Sequence, residues 1–269
     1  MPAFRLNTRL IEKPWGRCDL PPPFAEAAPK GEKIGEVWFT MPEGQPEPEL
    51  LVKYLFTSER LSIQVHPDDT LARAHGLPRG KDEAWYILHA DPHATIGIGT
   101  HEAMSPEELR AAIEDGSIEE KLDWKPVKAG DCYYSPARTV HAIGPGLALI
   151  EVQQNVDVTY RLYDYGRPRE LHLEEGIEAS IAEPFPAPPP PEPVAPGRTL
   201  MTRGDKLSIE RWQGAGAYRL DFGPERFWLI PMHGAGTVDG QAMQAGECWI
   251  ADRSSTLALS EGADLLVGY

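Results

Sequence analysis

Short runs that alternate apolar and polar positions recur along the first half of the chain. Lys33-Ile34-Gly35-Glu36-Val37-Trp38-Phe39 is one, and Leu61-Ser62-Ile63-Gln64-Val65-His66, halted by Pro67-Asp68-Asp69, is another. Glu83-Ala84-Trp85-Tyr86-Ile87-Leu88 and Thr95-Ile96-Gly97-Ile98-Gly99 follow, then Asp131-Cys132-Tyr133-Tyr134 and Ala148-Leu149-Ile150-Glu151-Val152-Gln153. Runs of this length, rich in β-formers and bounded by Gly, Pro and Asp, predict the strands of a barrel or sandwich. One passage breaks the pattern. Ser105-Pro106-Glu107-Glu108 reads as an N-cap, a proline at N1 and a capping-box glutamate. Leu109, Ile113, Ile118 and Leu122 follow at helical spacing. A small helical insertion of one or two short helices is predicted around 105–122.

Residues 184–197 read Pro-Phe-Pro-Ala-Pro-Pro-Pro-Pro-Glu-Pro-Val-Ala-Pro-Gly. Proline at this density predicts an extended, semi-rigid connector outside any sheet or helix. It divides the chain into a domain over 1–183, a linker over 184–197 and a second, smaller β domain over 198–269. The last segment is strand-like and punctuated by Gly234, Gly236, Gly240, Gly246 and Gly262. An echo between Gly130-Asp131-Cys132 and Gly246-Glu247-Cys248 leaves an internal duplication open.

With 269 residues the chain can bury real cores. It has no apolar run long enough to span a bilayer. Its first residues, Met1-Pro2-Ala3-Phe4-Arg5, lack the basic and apolar regions of a secretory signal. Cys18, Cys132 and Cys248 are few, odd in number and unpaired in spacing, as expected of reduced thiols in a cytoplasmic protein. The net charge of −15 repels nucleic acid and anionic lipid. An anionic ligand would therefore need a local cluster of cations.

Gln64 and His66 stand two apart on one predicted strand and so share a face. Glu83 opens the next run, and His141 follows a proline-containing turn. Two imidazoles, a carboxylate and an amide, with no sulfur, suit Zn²⁺, with Mn²⁺, Fe²⁺ or Co²⁺ as alternatives. Taken one at a time, each histidine is more often a surface or hydrogen-bonded residue than a ligand. Lys81, two residues before Glu83, points into the same cavity if the two share a strand. His75, His89, His93, His101, His172 and His233 fit no ligand position.

Gly130, Pro136 and His141 match the spacing of the second cupin motif. The strings Leu61-Ser-Ile-Gln-Val-His-Pro-Asp-Asp69, Gly80-Lys-Asp-Glu-Ala-Trp-Tyr-Ile-Leu88, Thr139-Val-His-Ala-Ile143, Glu151-Val-Gln-Gln154 and Asp157-Val-Thr-Tyr-Arg-Leu-Tyr-Asp164 occur in that order. Together with Pro14-Trp15-Gly16 and Ile34-Gly35-Glu36-Val37-Trp38, they resemble the short bacterial form of the type I mannose-6-phosphate isomerase family. The resemblance covers residues 5 to about 173 and is generic beyond 180.

The resemblance implies a mainly β fold of two cupin-type jelly-roll β-barrels. It also implies a metal-dependent aldose–ketose isomerisation of mannose 6-phosphate and fructose 6-phosphate through an enediolate. Gln64, His66, Glu83 and His141 inherit the metal, one Zn²⁺ per chain. Arg161 and Lys81 inherit catalytic places, Arg161 on the enediolate and Lys81 on phosphate or proton transfer. The base stays open between Lys81 and a water at the metal. Trp15, Glu36, Ser62, Glu151 and Gln153 fall in motifs beside the substrate, although Trp15 fits core packing equally well. Arg167 is a further candidate for phosphate or a surface charge. Two departures stand out. Val156 replaces the family's Ser ahead of Asp157 and Arg161, and Arg138 replaces a Gly, which predicts a remodelled turn. The second barrel, with no His between Gly246 and Leu259, is expected to be a scaffold without metal. Alternatives are an isomerase of another phosphosugar, a non-catalytic sugar-binding cupin, and a cupin oxygenase, which usually carries His where Gln64 stands. A phosphosugar is the expected partner, without nucleic acid or membrane, in a monomer or homodimer.

Overall fold

A computed structural model describes residues 3–27, 29–223 and 225–269. The signal-peptide reading falls in part on Met1 and Pro2, which lie outside the described residues. Among those described, the chain is mainly β, with four helices.

Four sheets are stacked in layers. A five-stranded sheet runs in the order Tyr160–Tyr163, Ile63–Val65, His141–Ile143, Thr95–Thr100, Leu122–Pro126. A six-stranded sheet follows, in the order Asn7–Arg17, Ile34–Thr40, Leu50–Phe56, Leu147–Gln154, Glu83–Ala90, Cys132–Ser135. Then comes a seven-stranded sheet that includes Arg198–Arg203, Ser208–Gln213, Asp264–Gly268, Arg226–His233 and Trp249–Asp252. A four-stranded sheet, built from Gly216–Arg219, Thr256–Leu259, Gly236–Val238 and Gln241–Met243, closes the stack.

Period-two alternation explains why the central strands are buried along their whole length. On Glu83–Ala90, Trp85 and Ile87 join Ile96, Ile98 and Ile143 in the core shared with the five-stranded sheet. Ala84 and Tyr86 of the same strand join Ile209, Trp228 and Leu266 in the core shared with the seven-stranded sheet. The outer face of the five-stranded sheet is covered by helices Pro106–Asp115, Ile118–Lys121 and Leu173–Ala179, through Leu109, Ile113, Ile118 and Ala179.

The insertion takes the expected form. Ser105 Oγ accepts from Glu108 N–H at 3.2 Å, and Glu108 Oε2 accepts from Ser105 N–H at 2.8 Å. Other features differ from expectation. Asn7–Arg17 is a strand, and Phe4–Arg5 pairs with Trp249–Asp252, so both ends of the chain share a sheet. Asp68 is more than a turn residue: it caps helix Asp69–Ala74 through Leu71 N–H.

The proline run is not wholly outside a ladder, because Glu192–Ala195 pairs with Arg198–Arg203. It does so as an exposed edge strand, where Pro193 needs no partner for its missing N–H.

The turn at Arg138 is not remodelled. Arg138 adopts φ 74°, the left-handed conformation that glycine takes without strain. Its side chain holds it there, with Nε donating to Ala179 O at 3.2 Å and Nη2 to Glu178 O at 3.3 Å, the carbonyls at a helix end. Its N–H donates to His66 O at 2.7 Å. The three cysteines are free, with Cys132 and Cys248 buried and Cys18 exposed. Among the described residues no helix is long and apolar enough to cross a membrane.

Candidate metal centre

The space between the five- and six-stranded sheets is apolar at one end and polar at the other. Along Leu147–Gln154 the inward positions read Leu147, Leu149, Glu151, Gln153. On the neighbouring strands Lys53 and Glu83 lie at the same polar end. Opposite them, His141 pairs with Gln64, and Gln64 pairs with Arg161. Register therefore delivers a carboxylate from one sheet to an amide, an imidazole and a guanidinium from the other, and His66 follows directly after Ile63–Val65.

His66, Glu83 and His141 bring one ligand atom each within 4.8 Å of one another, all buried. His66 Nε2 lies 3.0 Å from Glu83 Oε1, and His141 Nε2 lies 3.6 Å from Glu83 Oε2. Lys81 Nζ is 2.8 Å from Glu83 Oε1 and 3.3 Å from His66 Nε2. These are charge contacts without hydrogen-bond alignment to the carboxylate. Both Glu83 oxygens, and His66 Nδ1, lack a hydrogen-bond partner. A buried carboxylate left in that state is costly.

The ionisation states suit a cation. Burial, helped by the charge of Lys81, pushes the His66 imidazole down to about 3. Burial lowers His141 as well. Burial would raise Glu83, but Lys81, His66 and His141 together outweigh it and hold the carboxyl well below its usual range. Two neutral imidazoles and a carboxylate are the ligand forms of these groups. His141 Nδ1 faces Thr139 O at 2.8 Å, which leaves Nε2 unprotonated toward the centre. The residues present therefore fit a divalent ion. Gln64 stands beside the triad with Nε2 3.3 Å from His141 Nε2, while its Oε1 accepts from Ser62 Oγ at 3.1 Å. Ligation through Oε1 requires that amide to turn over.

A cavity opens above the centre, lined by Trp15, Glu36, Ser62, Gln64, Lys81, Glu83, Glu151 and Arg161 among the expected residues. Gln153 is fully buried behind Lys53 and is not part of this lining. Trp15 is core and wall at once, packed against Leu55 and Ile96. Arg161 spends one N–H on Glu170 O at 3.2 Å. Arg167 is tied to Glu59, Asp164 and the Arg60 carbonyl, away from the lining.

Residues not singled out from the sequence also line the cavity: Lys13, Trp38, Lys53, Asp157, Thr159 and Arg169. Lys53 is the foremost of them. It is buried, pairs with Glu151 at 3.1 Å and donates to Gln153. Burial opposes its charge, but Glu151, Glu36 and Glu83 keep it firmly protonated. Burial, together with the charge of Glu83, pushes the Glu151 carboxyl up. Lys13, Lys53, Lys81, Arg161 and Arg169 bring five cationic side chains to a lining that also holds Glu36, Glu83, Glu151 and Asp157.

The stacked sheets and the buried His–Glu–His set define a cupin-type β protein with a candidate metal centre. No family model matches the chain. Mannose-6-phosphate isomerase of Streptococcus mutans is 40% identical over 179 residues, covering 64% of this chain and 56% of the relative. Mannose-6-phosphate isomerase ManA of Bacillus subtilis is 45% identical over 162 residues, covering 55% and 51%. The chain thus spans about half the length of these two relatives. The probable mannose-6-phosphate isomerase GmuF of Bacillus subtilis is 33% identical over 232 residues, covering 80% of this chain and 72% of the relative. The chain belongs to the mannose-6-phosphate isomerase family. A crystal structure of mannose 6-phosphate isomerase from Bacillus subtilis superposes over the whole of both chains with a TM-score of 0.86 at 26% identity. A putative mannosephosphate isomerase from Archaeoglobus fulgidus shares the fold, with a TM-score of 0.74 at 17% identity over 99% of this chain and 97% of that one.

Proposed function

We propose that the chain interconverts mannose 6-phosphate and fructose 6-phosphate in the cytoplasm, as a monomer or homodimer with one Zn²⁺ per chain. The observation that carries this reading is the Glu83 carboxylate. It is buried between two neutral imidazoles without a hydrogen bond, at the floor of a cavity lined by lysines, arginines and carboxylates.

Gln64, His66, Glu83 and His141 would hold the ion, with Mn²⁺, Co²⁺ or Fe²⁺ as substitutes. When bound, it supplies Lewis-acid polarisation of the sugar carbonyl. Arg161 faces the same space and balances charge as the carbonyl oxygen becomes an enediolate oxygen. Lys81, buried beside Glu83, stands where it can hold or move a proton between C1 and C2. Glu36, Ser62 and Glu151, with Trp15 as a wall, offer hydrogen-bond partners to sugar hydroxyls, and Gln153 acts through Lys53. We read residues 1–183 as the catalytic unit, 184–197 as a connector and 198–269 as a smaller unit without metal.

The test is turnover of mannose 6-phosphate by zinc-loaded protein, followed as fructose 6-phosphate, beside other aldose phosphates at equal concentration. Preference for mannose 6-phosphate is expected. Turnover of a different phosphosugar in its place would replace the substrate and keep the reaction type.

A further inference from the structure

A network of polar contacts runs from the C-terminal half to the segment that carries Lys81 and Glu83. Tyr134 stands directly across from Ala84 on the neighbouring strand. Its ring lies against the backbone of Gly204, where a Cβ would fall inside the ring, so only glycine permits the approach. The Tyr134 hydroxyl donates to Asp82 Oδ2 and accepts from Lys206 N–H at 3.2 Å. Asp82, between Lys81 and Glu83, is buried. Its Oδ1 accepts from Ala137 N–H at 3.1 Å, one residue before Arg138, which holds the His66 carbonyl. Its own N–H donates to Gln154 Oε1 at 3.0 Å.

A second path starts from the same turn. Lys206 Nζ lies 2.8 Å from Asp69 Oδ2. Asp69 Oδ1 accepts from Gly80 N–H at 2.8 Å and from Gln154 Nε2 at 3.1 Å. Gly80 in turn packs so tightly on residues 68 and 69 that a Cβ would sit 2.5 Å from their backbone. The segment from Gly80 to Glu83 is thereby held at Gly80 and at Asp82, and the Gly204–Lys206 turn reaches both holds, one through Asp69 and the other through Tyr134. Buried polar networks of this kind specify one arrangement among near alternatives. Partners of a ligand-bearing segment set the geometry that the ion meets.

We propose that the Gly204–Lys206 turn is a positioning element for the metal centre. Acting through Tyr134–Asp82 and Asp69–Gly80, it fixes where Glu83 and Lys81 stand relative to His66 and His141. The C-terminal half is then a working part of the site and not only a scaffold. This inference rests on the metal-centre reading above.

The test is competition for Zn²⁺ against a chromophoric chelator at 25 °C, with the thermal midpoint of the metal-free protein measured alongside. Tyr134→Phe is expected to weaken Zn²⁺ binding several-fold, less than the roughly 10-fold or more that follows loss of a ligand's direct partner. Lys206→Ala, at an exposed side chain, is expected to weaken it less, and Lys206→Arg to restore it. A merely structural role would lower the midpoint and leave the Zn²⁺ dissociation constant unchanged. Wild-type affinity in both Tyr134→Phe and Lys206→Ala would overturn the proposal. Failure of the wild-type protein itself to bind Zn²⁺ would overturn the metal-centre reading and the positioning role with it.

Discussion

Each half of the molecule buries glutamate, and the most buried of each half, Glu83 and Glu210, are treated in opposite ways. Glu210, 3% exposed, accepts from Arg198 Nε at 2.8 Å and Nη2 at 3.0 Å, from Trp212 Nε1 at 2.7 Å and from Tyr269 Oη at 2.8 Å. Glu83, 1% exposed, has neither oxygen hydrogen-bonded. The surroundings differ in the same sense. Between the seven- and four-stranded sheets the interior is Trp212, Phe227, Leu229, Val238, Met243, Trp249 and Leu257. Between the six- and five-stranded sheets the apolar packing stops at Trp85 and Leu149, and charged groups take over. A satisfied buried carboxylate strengthens a fold. An unsatisfied one, kept among imidazoles and lysines, costs stability unless something binds it.

The comparison breaks first at the ligands. His141→Ala is expected to lose both bound metal and turnover, read by metal analysis and by the isomerase assay on the same sample. Full activity in that variant would remove His141 from the centre. Arg161→Ala is expected to bind metal as the wild type does and to lose about 10²-fold or more in kcat, the scale of a lost charge stabiliser. Unchanged turnover would show that the guanidinium is a bystander.

Glu210→Ala should do the reverse. It is expected to cost about 3 kcal/mol in urea unfolding, since it strands the partners of a buried ion pair. Zn²⁺ affinity and turnover at 25 °C should stay at wild-type values. A fall in activity without a fall in stability would erase the contrast between Glu210 and Glu83.

Smaller effects sharpen the picture. Arg138→Ala loses the bonds to the helix end and keeps the left-handed strain, whereas Arg138→Gly loses the bonds and relieves it. The glycine variant is therefore expected to be the more stable of the two by about 1 kcal/mol in urea unfolding.

At the seam, the hydrogen bond from Lys206 lowers the Asp69 carboxyl to about 2. A depressed carboxyl contributes fully above its unfolded value of about 4 and loses that contribution as pH falls toward 2. The stability deficit of Lys206→Ala, under about 1 kcal/mol for so exposed a pair, is expected to be constant from pH 8 to 6. It should shrink below pH 4. Growth of the deficit in acid would contradict the assignment.

Much of the first half was readable because its signals are local. Gln64 lies on Ile63–Val65 with His66 directly after it, and Ser105 to Glu108 carry a complete cap. Register was not readable. Lys53 sits in Leu50–Phe56, a strand buried from end to end, and only its partner Glu151 explains a lysine there. The clue available was a single charge in an otherwise apolar run. Arg138 misled because the penalty for φ above zero is visible in sequence, while the carbonyls of Glu178 and Ala179 that offset it are 40 residues away. The proline run misled in a similar way, since the rule against proline in a ladder relaxes at an exposed edge. Nothing local marked Phe4–Arg5 as a strand of the C-terminal sheet, a pairing that joins residues far apart in the chain.

The most direct measurement is calorimetric titration of metal-free protein with Zn²⁺, run on the wild type and on Glu83→Gln. The expected result is one tight site per wild-type chain and no tight site in the variant, whose amide keeps the shape of Glu83 but not its charge. Equal binding by the two proteins, or none by the wild type, would contradict the claim that the buried Glu83 carboxylate is there to hold a metal.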